Sequence, residues 1–279
     1  MNSKSILITG STGIIGKSLV LFLKKKKFNL VFSKGSKSKD FLKNLKKDLK
    51  SNSIDCLIHL AGKDDYNSNS PQEIKKINLK IDKQLIKVVK KFNIPFVIFS
   101  STNRVYEGSK KKKIINNSLT IPISPYGKSK IKSEKAFSKL NLKLVILRLP
   151  SVLSKHSKKG LIYFIYKKMI KNKEVKIFNP NSLFNNVILQ DDLNKAIFNL
   201  IKQKQNLPRK KIINLAALKP IKFIHLIKFM LRKIKSNSLI TVCKNNKISK
   251  LYLNKDSRNL FDFKIKSVKN SINSYLNDL

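Results

Sequence analysis

The sequence predicts an α/β fold: a doubly wound parallel sheet of the Rossmann type, followed by a smaller C-terminal region. Up to residue 150, short apolar runs rich in β-branched residues alternate with longer stretches of helical period. That alternation is typical of parallel strands joined by helical crossovers. Beyond Pro150 it becomes less regular, and 279 residues suffice for one large domain with an appended region. We therefore expect a first domain at 1–155 and a smaller region at 156–279, with 184–216 returning to the first sheet.

Each element has its own pattern. Candidate strands of the first domain lie at 5–9, 29–33, 54–60, 95–100 and 143–148. Its helical patterns lie at 15–26, 40–50, 72–92 and 127–140. In the second region, helical patterns at 160–171, 191–203 and 221–234 alternate with apolar pieces at 175–178, 186–189, 212–215 and 239–243. Ligands of such sheets bind at the carboxyl ends of the strands.

A glycine-rich turn follows the first strand. Three of the eight glycines of the chain fall within seven positions. The first permits a sharp turn, the second lets a pyrophosphate approach the backbone, and the third lets the helix pack closely on its strand. Phosphates would then bind the unpaired N–H groups at the start of the helix. The residues expected to contact this part of a dinucleotide are Gly10, Thr12, Gly13, Ile14, Ile15 and Gly16.

The glycine-rich turn allows two other interpretations. Gly16-Lys17-Ser18 is similar to the end of a P-loop, but that motif needs a glycine five positions before Gly16, where Ser11 stands. The P-loop is therefore disfavoured. A glycine-rich turn that binds no ligand remains an alternative for this stretch taken alone.

The formal net charge of +46 raises the question of nucleic acid. Only five of the 61 basic residues are arginine, whereas base readout and bidentate phosphate binding favour arginine. The lysines are spread along the whole chain, and runs such as 24–27 and 110–113 are typical of solvated loops and helix ends. We expect no specific nucleic-acid site. The alternative is a non-catalytic Rossmann protein that binds RNA or a protein partner through its lysine-rich surface.

Other features restrict the class of protein. Cys56 and Cys243 are too few and too far apart to indicate a disulfide framework, and the three histidines have no metal-ligand spacing. We expect no metal site. No apolar run approaches the roughly 20 residues of a membrane span, and the first strand begins too near Met1 to leave room for a signal peptide. A cytoplasmic protein without a membrane span is therefore expected.

Candidate chemical residues lie in the middle of the chain. Tyr126 and Lys130 are four residues apart at a predicted helix start, and so on one helix face. Tyr106 with Lys110 has the same spacing, so the spacing alone proves little. The context is more informative, because Thr102 ends a hydroxyl-rich turn directly after an apolar strand. Hydroxyl groups at that edge of a sheet indicate a polar site.

Taken in order, these motifs resemble the extended short-chain dehydrogenase/reductase family, in particular the NAD-dependent epimerase/dehydratase branch that acts on nucleotide sugars. The resemblance covers nearly all of the chain, and it implies that 1–155 is the NAD(P)-binding domain and 156–279 the substrate-binding region. The matching pieces are residues 9–16, 57–62, Asn78, 99–106, 126–130, 148–150 and 185–193.

The resemblance implies an NAD(P)-dependent epimerase or reductase that acts on a nucleotide-activated sugar by hydride transfer. Tyr126 would be the general acid or base. A free phenol titrates near pH 10, and the positive charges of Lys130 and of an oxidised nicotinamide would lower that pKa. Lys130 would also bind the nicotinamide ribose, and Thr102 would donate a hydrogen bond to the reacting sugar oxygen.

The resemblance also implies further cofactor contacts, and two departures qualify them. The second predicted strand ends without the acidic residue that usually binds the adenosine ribose, and Ser33 and Lys34 could instead contact a 2′-phosphate. NAD and NADP thus both stay open, with a lean towards NADP. Dehydratases of the family place Asp-Glu after the catalytic threonine, where this chain has Asn103-Arg104, so dehydration is disfavoured. Beyond the glycine turn, the expected cofactor contacts are Ser33, Lys34, Leu60, Ala61, Gly62, Asn78, Ser100, Tyr126, Lys130 and Pro150.

A homodimer is expected from the same resemblance. The helical patterns at 72–92 and 127–140 are the candidates for the dimer face, with their lysines pointing outward.

Overall fold

The computed structural model describes residues 5–32, 53–64, 70–243, 249–253 and 261–279. Ser33, Lys34 and the predicted helix at 40–50 lie outside these ranges. The chain divides into two compact units. The first unit comprises residues 1–109, 119–149 and 194–213, and the second comprises 110–118, 150–193 and 214–279. Which region binds a substrate is a separate matter, so the functional division at residue 155 stays a prediction.

The elements are numbered here along the described chain. The strands are β1 (Ser5–Thr9), β2 (Asn29–Phe32), β3 (Cys56–His59), β4 (Phe96–Thr102), β5 (Lys113–Ile114), β6 (Lys143–Leu149), β7 (Ser151–Leu153), β8 (Val175–Phe178), β9 (Leu183–Phe184), β10 (Val187–Leu189), β11 (Lys210–Asn214), β12 (Ile221–Lys222), β13 (Ile240–Cys243) and β14 (Leu251–Tyr252). The α-helices are α1 (Ile14–Lys25), α2 (Pro71–Lys91), α3 (Pro125–Phe137), α4 (Leu161–Met169), α5 (Gln190–Lys202), α6 (Phe223–Ile234) and α7 (Val268–Asn277).

The first unit is built on a six-stranded sheet in the order β11-β6-β4-β3-β1-β2. Parallel pairing aligns Leu7 of β1 with Val31 of β2 on one side and with Leu57 of β3 on the other. β1 therefore lies where the chain reverses the direction in which it adds strands, which is the point where ligands bind in doubly wound sheets. The predicted fold class is confirmed.

Helices cover the sheet of the first unit. Ile81 and Leu85 of α2 share a buried core with Leu7 and Leu57, while Phe137 of α3 joins the same cluster. α1 and the later part of α5 pack on each other, since the rings of Phe22 and Phe198 meet edge to face with centroids 6.0 Å apart. Because strand side chains alternate between faces, the buried neighbours of Leu7 along β1 point to the opposite side of the sheet.

The start of α3 is specified by local sequence. Ser124 is the N-cap, and its hydroxyl accepts a hydrogen bond from the Gly127 amide at 3.1 Å. Pro125 occupies the first turn, where its missing N–H costs nothing. The helix thus begins two residues before the predicted boundary, which places Tyr126 in its first turn.

In the part of the second unit that the structure describes, there are short two-stranded pairings and the helices α4, α6 and α7. The pairs are β10-β7, β12-β9, β13-β8 and β14-β5. Its core is apolar, with Met169 of α4, Leu226 of α6 and Ile272 of α7 among the buried side chains. Asn185 is buried, and its amide makes two hydrogen bonds to the backbone of Tyr252, at 2.7 and 3.1 Å.

Within the described ranges, no helix has the combination of length and apolar character that crossing a membrane requires.

A buried chain of polar side chains links four elements of the first unit. His59 of β3 lies with Nε2 2.7 Å from Oδ1 of Asp82 on α2, and its Nδ1 is 2.7 Å from Oγ1 of Thr9 on β1. The hydroxyl of Ser133 on α3 donates to the other oxygen of Asp82. Since a carboxylate only accepts, the His59 proton lies on Nε2 and Thr9 donates to Nδ1. The network therefore ties the strand before the glycine turn to α3.

Burial determines the charge of His59. It lowers the pKa of the imidazole below its usual value, although the Asp82 hydrogen bond and charge act in the opposite direction. Burial would raise the pKa of Asp82, but the hydrogen bond and charge from His59, the charge of Lys130 and the hydrogen bond from Ser133 outweigh it and lower that pKa. The native network thus holds a neutral imidazole beside a carboxylate.

This charge state predicts acid destabilisation through His59. Below its ordinary pKa the unfolded chain binds a proton that the native imidazole resists, so the free energy of unfolding should fall as pH drops from about 7 to about 5, by about 1–2 kcal/mol. The lowered pKa of Asp82 extends the loss to lower pH. Thermal unfolding of His59→Gln should show a flatter dependence in that interval. Exposed His156→Gln should keep the parent slope, and an unchanged slope in His59→Gln would contradict the prediction.

A buried ion pair lies next to this network. Arg148 of β6 and Glu134 of α3 form two hydrogen bonds, Nη2 to Oε2 at 2.7 Å and Nε to Oε1 at 3.1 Å. The guanidinium also donates to the Tyr106 hydroxyl, and Ser101 donates to Glu134. Burial disfavours the charged guanidinium, but Glu134 outweighs this and raises the pKa of Arg148. The pair holds α3 against β4 and β6.

Breaking this pair from one side should destabilise the fold. Glu134→Gln leaves the Arg148 charge buried without its counter-ion, and we expect a loss of about 3 kcal/mol in urea unfolding. The double variant Glu134→Gln with Arg148→Met removes both charges and should be more stable than the sum of the single losses implies. Simple additivity would show that the two charges do not interact.

Candidate active site

Backbone contacts hold the glycine turn in place. Gly10 has φ +74°, and a Cβ there would lie 2.7 Å from the Ala61 amide nitrogen. A Cβ on Gly16 would lie 2.1 Å from the carbonyl oxygen of Gly10, so no side chain fits there. The Gly13 amide donates to the same carbonyl at 3.0 Å. The turn thus brings the end of β1, the start of α1 and the segment after β3 into contact.

The N-terminus of α1 suits an anionic group. Its N-cap is Gly13, which has no side chain to accept the first amides, and its first turn has no acidic residue. By contrast, α2, α3 and α7 are capped by the hydroxyls of Ser70, Ser124 and Ser267. Uncapped amides at the positive end of a helix are the arrangement that binds phosphate. These residues fit the pyrophosphate of a dinucleotide.

Lys130 is a buried cation at the carboxyl end of the sheet. Its side chain reaches across β4, and Nζ donates to the carbonyl of Ser100 at 2.9 Å. Nζ lies 4.9 Å from the centroid of the Phe99 ring and 5.9 Å from that of Tyr126. A Cβ on Gly62 would lie 3.3 Å from Nζ, so the glycine leaves the space beside the ammonium open. Lys130 therefore connects the segment after β3 with Tyr126.

Burial lowers the pKa of the Lys130 ammonium, while the carboxylates of Asp82 and Glu134 raise it. Both carboxylates belong to the buried groups described above. The positive charge of Lys130 thus depends on the buried carboxylates of Asp82 and Glu134.

Asn78 fixes the backbone next to Lys130. Its side chain accepts from the Lys63 amide at 2.7 Å and donates to the Lys63 carbonyl at 3.1 Å and to the Ser129 hydroxyl at 3.2 Å. Ser129 in turn donates to the carbonyl of Tyr126 at 2.8 Å. Asn78 therefore shapes the wall of the site from α2.

Thr102 ends β4. Its hydroxyl oxygen accepts from the Arg104 amide at 3.2 Å and begins the short 3-10 helix Asn103–Tyr106. A hydroxyl that accepts can still donate its own hydrogen, so Thr102 retains the capacity that its predicted role needs.

Several predicted site residues of the first unit lie in one continuous set of contacts. The Leu60 carbonyl carbon is 2.8 Å from the Cβ position of Gly10, and Leu60, Ala61 and Gly62 continue the chain towards Lys130. Thr12 and Gly13 are exposed at the turn, and Ile14 and Ile15 are half-buried in the first turn of α1. Pro150 belongs to the second unit. Ser33 and Lys34 lie outside the described residues, so the lean towards NADP stays a prediction.

Sequence reasoning missed three contributors. The pairing of His59 with Asp82 was not predicted, because nothing in the sequence shows that residues 23 apart meet at 2.7 Å. Arg104 was used only as a departure from the dehydratase pattern, yet its guanidinium carbon lies 5.9 Å from the centroid of the Tyr126 ring. Glu107 binds Arg104 and was not noticed. A signal existed, since arginine is rare in this chain and one of the five stands here.

The chain is similar to several known proteins. Uncharacterized protein MJ1055 of Methanocaldococcus jannaschii is 26% identical to this chain, over 86% of this chain and 85% of that protein. The Bordetella bronchiseptica enzyme WbmG in complex with NAD and UDP has a TM-score of 0.84 at 17% identity, over 99% of this chain and 95% of that one. UDP-glucuronic acid 4-epimerase from Bacillus cereus in complex with NAD has a TM-score of 0.78 at 20% identity, over 98% of both chains. At these identities the structural likenesses establish the fold.

The family follows from the sequence itself. The profile of the RmlD substrate binding domain matches residues 4–217, which is most of the chain and includes the glycine turn, Thr102, Tyr126 and Lys130. The chain therefore belongs to the RmlD substrate binding domain family, and its predicted place among the enzymes of the extended short-chain dehydrogenase/reductase family is confirmed.

Proposed function

We propose that this protein is an NAD(P)-dependent epimerase or reductase that acts on a nucleotide-activated sugar. One observation carries the proposal. The glycine turn, the segment 60–62, Lys130 and Tyr126 form an unbroken line of contacts at the switch point of the sheet. A dinucleotide along this line would have its pyrophosphate at α1 and its nicotinamide end at Lys130 and Tyr126.

The cofactor supplies hydride transfer to or from a sugar carbon. The chain supplies the rest. The amides at the start of α1 bind the pyrophosphate, and Lys130 presents its ammonium to the nicotinamide ribose beside Gly62. Ser100 and Asn78 hold Lys130 and the neighbouring backbone in place.

Tyr126 moves the proton that accompanies the hydride. When a sugar hydroxyl is oxidised, its proton passes to the phenolate oxygen of Tyr126, and the reverse step returns it. The positive charge of Lys130 favours the phenolate. Thr102 donates a hydrogen bond to the same sugar oxygen, which orients the hydroxyl for transfer.

A nucleotide sugar is the proposed substrate class. The family membership supports it, as do two fold relatives: the structure of WbmG contains UDP, and the Bacillus cereus enzyme is a UDP-glucuronic acid 4-epimerase. Asn103-Arg104 supports epimerisation or reduction over dehydration, because elimination of water needs acid and base groups at those positions.

The homodimer also belongs to this proposal. α2 and α3 pack side by side, and a hollow of about 430 Å³ lies between them. It is lined by Ile86, Ala136 and Leu140 together with four lysines, Lys90, Lys132, Lys135 and Lys139. Light scattering of the purified chain tests the oligomeric state.

One test of the proposed function changes Tyr126. Tyr126→Phe removes the hydroxyl that carries the proton and should reduce turnover of a nucleotide sugar by about 10²–10⁴-fold, which is the usual contribution of general acid–base catalysis. Affinity for NADH should stay within about twofold, a difference below 0.5 kcal/mol. Tyr163 has the same four-residue spacing to a lysine, so Tyr163→Phe is the matched control and should keep turnover. Full activity in Tyr126→Phe would remove the proposed mechanism.

Another test of the proposed function changes the glycine turn. Asp is a good N-cap, but a Cβ at this position would lie 3.3 Å from the carbonyl oxygen of Gly10, so Gly13→Asp should change the thermal midpoint little. Its carboxylate would occupy the anion site and repel the pyrophosphate. We expect NADH or NADPH affinity, measured by fluorescence titration at about 0.15 M salt, to fall more than tenfold.

Gly13→Asn is the matched control, with the same shape and no charge, and should lose less affinity than Gly13→Asp. Equal affinity in all three proteins would place the pyrophosphate elsewhere. If the parent binds neither cofactor, the turn has no ligand and the alternative of RNA or partner binding gains support.

A further inference from the structure

Two cationic side chains, Arg104 and Lys130, lie next to the ring of Tyr126. The guanidinium carbon of Arg104, in the short 3-10 helix, lies 5.9 Å from the centroid of the Tyr126 ring. The ammonium of Lys130 lies 5.9 Å from the same centroid. Tyr126 therefore has cations from two different elements next to its ring, and Lys130 alone does not account for its surroundings.

Glu107 holds Arg104 in this place. Its Oε1 accepts from Nε of Arg104 at 2.5 Å. Its Oε2 accepts from the amides of Ser124 at 2.7 Å and Ile123 at 3.2 Å, directly before the helix that carries Tyr126. One carboxylate thus fixes both the guanidinium and the backbone that leads to Tyr126.

Glu107 is a suitable anchor because it stays charged. Burial would raise the pKa of its carboxyl group, but the hydrogen bonds from Ser124 and Arg104 outweigh this and lower the pKa. The anchor therefore persists across the neutral range, and so does the position of the guanidinium.

We propose that Arg104 is a positioning residue that acts through Tyr126: its guanidinium, anchored by Glu107, stabilises the phenolate form of that side chain. The inference deepens the proposed function and depends on it for its catalytic meaning. The positive charge belongs to Arg104, and Glu107 holds that guanidinium in place.

The two cations differ in kind. Burial lowers the pKa of Lys130, so its charge depends on Asp82 and Glu134. A guanidinium stays protonated at every pH at which the protein is folded. Arg104 therefore supplies Tyr126 with a positive charge that does not titrate.

The size of the effect follows from the surroundings. Arg104, Lys130 and Glu107 are charged groups at this ring, from the 3-10 helix, α3 and the segment after the 3-10 helix. The opposite charge of Glu107 and partial exposure to water weaken the influence of Arg104. We expect Arg104 to lower the pKa of Tyr126 by about half to one unit.

The chain allows a direct measurement. It has no tryptophan and seven tyrosines, so tyrosinate absorbance can be followed against pH without indole interference. Subtracting the titration of Tyr126→Phe from that of the parent isolates Tyr126. The same subtraction in the Arg104→Met background should give a pKa higher by about half to one unit.

Two variants separate charge from shape. Arg104→Lys keeps a positive charge and should raise the pKa of Tyr126 less than Arg104→Met does. Lys128→Met removes an exposed charge two residues from Tyr126 and should leave the titration unchanged. An unchanged Tyr126 pKa in Arg104→Met, or equal shifts in the methionine and lysine variants, would overturn the inference.

Catalysis provides the second readout. The alkaline shift of Tyr126 in Arg104→Met should move the pH profile of kcat by the same amount and lower kcat by about threefold to tenfold at a pH below the pKa, with KM little changed. The absorbance titration needs no substrate or cofactor. A protein without turnover but with the predicted shift would refute the proposed function and leave the electrostatic inference intact.

Discussion

The arrangement of the site depends on a buried carboxylate. Asp82 receives hydrogen bonds from His59 and Ser133, and His59 is held in turn by Thr9. These side chains come from β1, β3, α2 and α3, so one charge links the strand before the glycine turn with the helix that carries Tyr126 and Lys130. The same carboxylate opposes the effect of burial on Lys130. Structure and electrostatics of the site therefore share one origin.

Much of this architecture follows from local sequence. β1 and β8 have the predicted bounds, and α1 and α6 differ from prediction by one or two residues, because their apolar periodicity is strong. The glycine turn was predictable because Gly10 and Gly16 occupy places where no Cβ fits. Helix α3 begins at Pro125, two residues before the predicted start at residue 127, because Ser124 caps it and Pro125 fits its first turn.

What sequence did not reveal depends on contacts between distant residues. Five strands of the second unit, β5, β7, β9, β12 and β14, were not predicted, because they are two or three residues long and too short for a periodic signal. Helix α7 was not predicted either, although Ser267 caps it. The partners of Asp82 and Glu134 could not be read, because polar residues inside a helix look alike whether they face water or a buried histidine. The sequence showed that Arg104 departs from the dehydratase pattern, but it did not show that this side chain lies beside the Tyr126 ring.

The tolerance of this lysine-rich chain to substitution differs sharply between positions. Among the described residues, Lys130 stands out as the buried lysine, while other lysines lie on surfaces where one polar side chain replaces another at little cost. Gly16 is the opposite extreme, since even a methyl group would overlap the Gly10 carbonyl. Tolerance to substitution therefore varies from nearly complete to none within two positions, at Lys17 and Gly16. In a saturation library of this chain, the glycine turn would therefore show as positions without tolerated substitutions directly beside the tolerant, exposed Lys17.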